Sequence, residues 1–211
     1  GVLMKFVLLL SKPLIPTFIL LAALVASSPS KAEDTGATTV VDTFHEALLD
    51  TMKSAKKLGI KGRYEILAPT IEGSFDLHTT VRVATGKAWR KASSSEKNQL
   101  VDAFRHWSIS TYASQFSGYS GQSFKTHGER AGPQRTQLVK TDIVRPGKKP
   151  VGLTYVLKQK EKKWRIVDVL LENSISQLAV RRSEYRGILK NGGITSLVGT
   201  LKALSKKLLN P

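Results

Sequence analysis

The side chains that could do chemistry in this sequence are few and scattered. Cysteine is absent, and the histidines are His45, His78, His106 and His127. Without thiols there can be no disulfide, no thiolate nucleophile and no Cys-ligated zinc or iron–sulfur centre. No histidine has another histidine or a carboxylate at the spacing of a metal site. No metal is therefore expected, and His106, beside Trp107, reads as a surface or core residue. Ser117-Gly118-Tyr119-Ser120-Gly121 lacks the leading Gly-x of a nucleophile elbow and reads as a loop. Neither a P-loop nor G-x-G-x-x-G occurs. Asp168 stands out, because it interrupts an apolar stretch (WRIVDVLLE, Trp164 to Glu172). Turned into a cavity it could act as a general base. Alternatively it faces solvent or pairs with an arginine such as Arg182 or Arg186, since buried charges are normally paired. Asp102 reads as helix surface. No catalytic residue and no cofactor is expected.

What the sequence supplies in quantity is apolar and aromatic surface, and its periodicity defines the elements. Val41, Phe44, Leu48, Met52, Ala55 and Leu58 recur at helical spacing, with Gly59 as a C-cap. Ile60 to Pro69 is short and mixed. Phe75 to Val83 starts a second helix running toward Trp89. Ser93 and Glu96 have capping-box spacing and open a helix predicted to reach about Tyr119. Leu100, Phe104 and Trp107 form one stripe on it, and Tyr112, Phe116 and Tyr119 a second, rotated by roughly 120°. Two stripes call for two packing layers or for a cavity wall.

The period then changes. Gly121 to Arg130, Thr136 to Arg145, Val151 to Lys158 and Lys163 to Glu172 read as strands joined by short turns, hence an antiparallel four-strand meander. Helix resumes from Ser174 to Lys190 with Ile175, Leu178, Tyr185 and Leu189 on one stripe, which Arg182 shares. It ends at Asn191-Gly192-Gly193. Ile194, Leu197, Leu201, Leu204 and Leu208 define a last helix. The fold class is α+β, with helices segregated to one side of a curved sheet. Such a core could be hollow and take a hydrophobic ligand; an ordinary filled core fits the same residues.

The first residues read as a secretory leader. Lys5 and Lys12 are its positive flank, Leu14 to Ala26 its apolar stretch, and Ser30-Lys31-Ala32 its cleavage site. The expected division is 1–32 as signal peptide and 33–211 as a single domain, with a periplasmic destination. No cysteine follows the apolar stretch to carry a lipid anchor, and that stretch is too short and too Pro-interrupted for a membrane anchor. The formal net charge is +17, of which three lysines fall in the leader, so the remainder is still about +14. Such a charge draws a protein toward polyanions. Beyond an inner membrane these are anionic bilayer surfaces or acidic partners. Aromatics interleaved with lysines are too sparse for a nucleic-acid face, and no nucleic acid is expected.

Four stretches together resemble the MlaC (toluene-tolerance) family of periplasmic lipid-binding proteins. They are Arg63-Tyr64 through Gly86-Lys87-Ala88-Trp89; the Phe104 to Tyr119 helix with Thr111-Tyr112-Ala113; Lys149-Pro150-Val151 into Tyr155; and Trp164-Arg165-Ile166-Val167-Asp168-Val169. They span about Val40 to Leu201. Glu172-Asn173-Ser174-Ile175-Ser176, Ala179 to Tyr185 and Gly192-Gly193 depart from the usual pattern and are similar to the hopanoid-associated HpnM branch. The resemblance implies an NTF2-like α+β fold with an apolar pocket between sheet and helices, no cofactor and no reaction. It implies a shuttle for a phospholipid or hopanoid between an inner-membrane ABC transporter complex and an outer-membrane lipoprotein complex, and a monomer is the default expectation for a shuttle. On the matching segments, side-chain period selects Leu67, Phe75, Val83, Trp89, Phe104, Trp107, Tyr112, Phe116, Tyr119, Val139, Leu153, Tyr155, Ile166 and Val169 as lipid-contact candidates. Two other readings stay open: an interaction module with a filled core, and an enzyme on the same scaffold using Asp168.

Overall fold

A computed structural model describes residues 36–210; the signal-peptide expectation lies outside them. Helix α1 (Ala37–Lys53) runs into α2 (Ala55–Ser74), and α2 is bent at Gly59. The sequence reading ended the first helix at Gly59, and the backbone there leaves helical geometry, with φ 60° and ψ −177°. A further irregularity at Ser54 precedes that break, and Ile60 to Pro69 is helical rather than short and mixed. Arg63, Leu67 and Ile71 recur every fourth residue on one buried face. The charged Arg63 hides that stripe from a hydropathy reading. The segment Phe75 to Trp89 is two short helices rather than one, α3 (Leu77–Thr85) and α4 (Lys87–Lys91), divided at Gly86.

Helix α5 (Ser94–Gln115) opens with the expected capping box: Glu96 N–H donates to Ser93 Oγ at 3.2 Å and Ser93 N–H to Glu96 Oε2 at 2.8 Å. It stops four residues short of Tyr119, with Phe116 as its C-cap. The sheet follows as β1 (Ser123–Gly132), β2 (Thr136–Arg145), β3 (Lys148–Lys160) and β4 (Lys163–Leu171), in antiparallel sequence order. A two-residue β5 (Ile175–Ser176) adds a fifth strand against Leu170 and Leu171, so the four-strand expectation falls one strand short. Helix α6 (Gln177–Leu209) is broken at Gly193, where two helices were expected to meet.

Two apolar clusters fill the molecule, and α5 belongs to both. Ile109, Ala113, Tyr112 and Phe116 pack with α1, α2 and the sheet. Leu100, Ala103, Phe104 and Trp107 pack with α3, α4 and α6. The two stripes of α5 thus serve two layers, and a helix with two apolar faces must be central. The junction between α2 and α3 is fastened to β4: Asp76 N–H donates to Ile166 O at 2.9 Å, and Thr80 Oγ1–H to Val167 O at 3.2 Å. No helix among the described residues is long and apolar enough to cross a membrane.

The break in α6 depends on backbone freedom at Gly193, with φ 62° and ψ −159°. An added Cβ would meet nothing within 4 Å there. The cost of Gly193→Ala is therefore conformational, about 1–3 kcal/mol. Gly199 has equally open surroundings but lies in regular helix, so Gly199→Ala should stabilise by about 0.5–1 kcal/mol. Urea unfolding of the two variants should move the midpoint in opposite directions.

Candidate functional site

Between the two clusters lies a cavity of about 200 Å³, more than ten times the ~10–15 Å³ that one buried water needs. The sheet supplies one wall: Phe124 from β1, Ile143 from β2, Leu153 and Tyr155 from β3, and Val167, Asp168, Val169 and Leu171 from β4. Opposite stand Leu48 of α1, Ile71 of α2, Phe75, and Leu77 and Thr80 of α3. Helix α5 lines it along its length with Phe104, Trp107, Ser108, Thr111, Tyr112 and Gln115, and Phe116 follows at its cap. Ile175 and the first turns of α6 complete it with Gln177, Leu178, Val180, Arg181 and Glu184. Eighteen of these twenty-six residues are apolar or aromatic, so the space suits a hydrophobic occupant.

Aromatic rings set its shape. Phe44 lies behind the wall in edge contact with Phe75 at 5.1 Å and with Tyr112 at 5.3 Å, and Tyr112 stacks on Phe116 at 5.8 Å. Burial pushes the Tyr112 phenol up to about 12, with the nearby Arg181 guanidinium pulling the other way. Tyr155 is raised further by burial. Both stay protonated at neutral pH. Tyr155 Oη meets His45 Nε2 at 2.9 Å, and the His45 ring stacks on Phe124 at 3.8 Å. His45 is 3% exposed. Burial pushes its pKa down to about 3, so it is a neutral core residue braced behind the cavity wall.

Eight of the fourteen candidates line this space: Phe75, Phe104, Trp107, Tyr112, Phe116, Leu153, Tyr155 and Val169. Six do not. Leu67, Val139 and Ile166 are fully buried in the sheet-side cluster, and Trp89 packs in the helical cluster with its ring against His78. Val83 and Tyr119 are 37% and 45% exposed. Val83 lies off the buried Val81–Ala84 face of α3, and Tyr119 lies beyond the end of α5. Sequence reasoning missed the contribution of α6. Leu178, Arg181 and Tyr185 fall at i, i+3 and i+7, the signal that could have found it. Arg182 was placed on that stripe, but it is exposed.

Asp168 pairs with no arginine. Its Oδ1 accepts from Val169 N–H at 2.8 Å and Leu178 N–H at 2.9 Å, and its Oδ2 accepts from the Ser176 hydroxyl. Ser176 Oγ accepts in turn from Ala179 N–H at 3.0 Å. The carboxylate satisfies free donors at the start of α6, where the helix dipole favours negative charge. Three donors already occupy it, so nothing favours a base role. Arg63 does similar service: its Nε donates to Ala113 O at 2.7 Å and its Nη1 to Ala55 O at 2.9 Å, joining α2 to the end of α5. The other histidines have structural partners: His106 takes Tyr64 Oη and Arg105, and His127 takes Asp142 at 2.7 Å. Among the described residues no group of three potential metal ligands converges.

An antiparallel meander backed by helices, with an apolar cavity between, is the arrangement expected of an NTF2-like α+β domain. The solved structure of the phospholipid-binding protein from Ralstonia solanacearum, determined in complex with a phospholipid, has the same fold. The TM-score is 0.71 at 22% sequence identity, over 82% of this chain and 98% of that one. The MlaC protein family matches residues 42–203, more than three quarters of the sequence, and the chain belongs to that family.

Buried neutral His45 makes stability depend on acidity. Unfolded, its pKa is 6.5; folded, it is about 3. Between these values the unfolded chain binds the extra proton, so stability is intact above about pH 6.5 and falls as pH drops toward 3. The slope is at most about 1.4 kcal/mol per pH unit from this group. In denaturant titrations at pH 7 and pH 5, His45→Gln should lose less stability across the interval than the parent protein.

Proposed function

We propose that this protein is a periplasmic lipid-binding shuttle that carries a phospholipid or hopanoid between the inner and outer membranes. It would act as the soluble component of an ABC-type lipid transport system. The observation that carries this reading is the cavity between the two clusters, lined mainly by apolar side chains from both and from every layer of the fold. Each acyl methylene moved there from water contributes about 0.8 kcal/mol. The phospholipid in the Ralstonia solanacearum protein, which shares the fold, supports the same ligand class. The Glu172–Ser176 and Gly192-Gly193 departures support the hopanoid branch as the second choice.

In this reading Phe75, Phe104, Trp107, Tyr112, Phe116, Leu153, Tyr155 and Val169 contact the apolar part of the ligand. Leu67, Val139 and Ile166 form the layer behind them. An N-terminal signal peptide delivers the protein to the periplasm. There its excess of basic residues draws it to anionic membrane surfaces, and to a transporter complex at one membrane and a lipoprotein complex at the other. No reaction is proposed.

The test is native mass spectrometry of protein purified from its own periplasm without detergent, followed by extraction. One lipid per protein is the expected result, and its chemistry chooses between the two classes. Val169→Trp, which fills the cavity, should abolish co-purification at a stability cost of about 1–3 kcal/mol. A clean unliganded mass that persists after incubation with both lipid classes would contradict the proposal.

A further inference from the structure

One corner of the cavity holds a cation with no ion pair among the described residues. Arg181, on the second turn of α6, lines the cavity and is partly buried. Its guanidinium carbon sits 4.2 Å from the centre of the Trp107 ring and 5.9 Å from that of Phe104. Among the described residues it makes no ion pair and no hydrogen bond. The Trp107 Nε1–H and the Tyr185 hydroxyl are buried nearby, also without partners. Two carboxylates line the same cavity. Asp168 is already taken by three donors at the start of α6, and Glu184 forms no ion pair with Arg181.

This arrangement is unusual for a partly buried cation, which normally finds a carboxylate. Arginine can lie flat on an indole, because its planar guanidinium is weakly hydrated and the ring face is negative. Stacking occupies the faces of the group and leaves its N–H edges free. Those edges form a fork that fits two oxygens of a phosphate or carboxylate. Stacking also fixes the fork before a ligand arrives, so less side-chain entropy is lost on binding.

We propose that Arg181, held on the face of Trp107, grips the anionic oxygens of a phosphate-bearing amphiphile whose chain occupies the cavity. The site thereby selects charged lipids over neutral ones such as polyol-headed hopanoids. The inference rests on the lipid-carrier reading and sharpens it, since it decides between the two ligand classes left open there.

The experiment compares two ligands with the same oleoyl chain, lysophosphatidic acid and monoacylglycerol, by displacement of a fluorescent acyl probe. The parent protein should prefer the phosphate-bearing ligand by about ten- to a hundredfold. Arg181→Met keeps the packing on Trp107 and should bring the two affinities together by weakening only the phosphate ligand. Arg181→Lys, a point charge without the fork, should retain part of the preference. Lys202→Met removes the same unit of charge from an exposed position on the last turns of α6 and should leave the preference intact, which separates the site from general attraction to a basic protein. A preference that survives Arg181→Met, or its absence in a parent protein that binds both ligands, overturns the assignment and leaves the carrier reading standing. Inorganic phosphate that displaces lysophosphatidic acid at comparable concentration overturns it in favour of a free-anion site. Binding of neither lipid overturns both.

Discussion

A helix that is apolar on two faces has no stable place on a protein surface, and α5 is such a helix. Leu100, Phe104 and Trp107 need one partner layer, and Ile109, Tyr112 and Ala113 need another. The helix must therefore run through the middle, with the sheet and the first two helices on one side and α3, α4 and α6 on the other. Side chains that fill two separate clusters leave space where the clusters meet. That space is the cavity, and α5 contributes more of its lining than any other element.

The ends of this arrangement are held by polar groups rather than by further burial. Arg63 ties two backbone carbonyls, one of them close to the end of α5. Such a charge-assisted contact is worth more than a neutral one, and breaking it would strand a buried cation. Asp168 does the corresponding work at the start of α6, fixing where that helix leaves the sheet and so where Arg181 and Leu178 stand. A carboxylate in an apolar strand invites a catalytic reading. Its partners make it a helix anchor, whose contribution to ligand binding is to position the wall.

Much of this was legible in the sequence, for identifiable reasons. The capping box at Ser93 and Glu96 is a local signal that no distant contact overrides. The turns at Pro146-Gly147 and Glu161-Lys162 separate the strands, although β3 runs from Lys148 to Lys160 rather than from Val151 to Lys158, and Gly193 marked the break in α6. The double stripe on α5 announced two layers. The helix through Pro69 was not legible, because its buried face includes Arg63, whose burial depends on carbonyls remote in sequence. The site was legible only in part. Period places a side chain on a face but not at a depth, so Leu67 and Ile166 look no different from Phe75 and Val169. Only packing shows which of them sit behind the wall and which form it. Arg181 escaped because a charged residue on an apolar stripe reads as noise until its aromatic partner, some seventy residues earlier in sequence, is known.

The central claim is that a lipid chain occupies the space beside the middle of α5. It is tested most directly by quenching. A protein carrying Trp89→Phe and Trp164→Phe retains Trp107 as its one tryptophan. Loaded with lipids brominated at successive positions along the acyl chain, it should lose Trp107 emission strongly and to an extent that varies with bromine position. Full lipid occupancy by mass with Trp107 emission unchanged at every position would place the lipid elsewhere and contradict the claim.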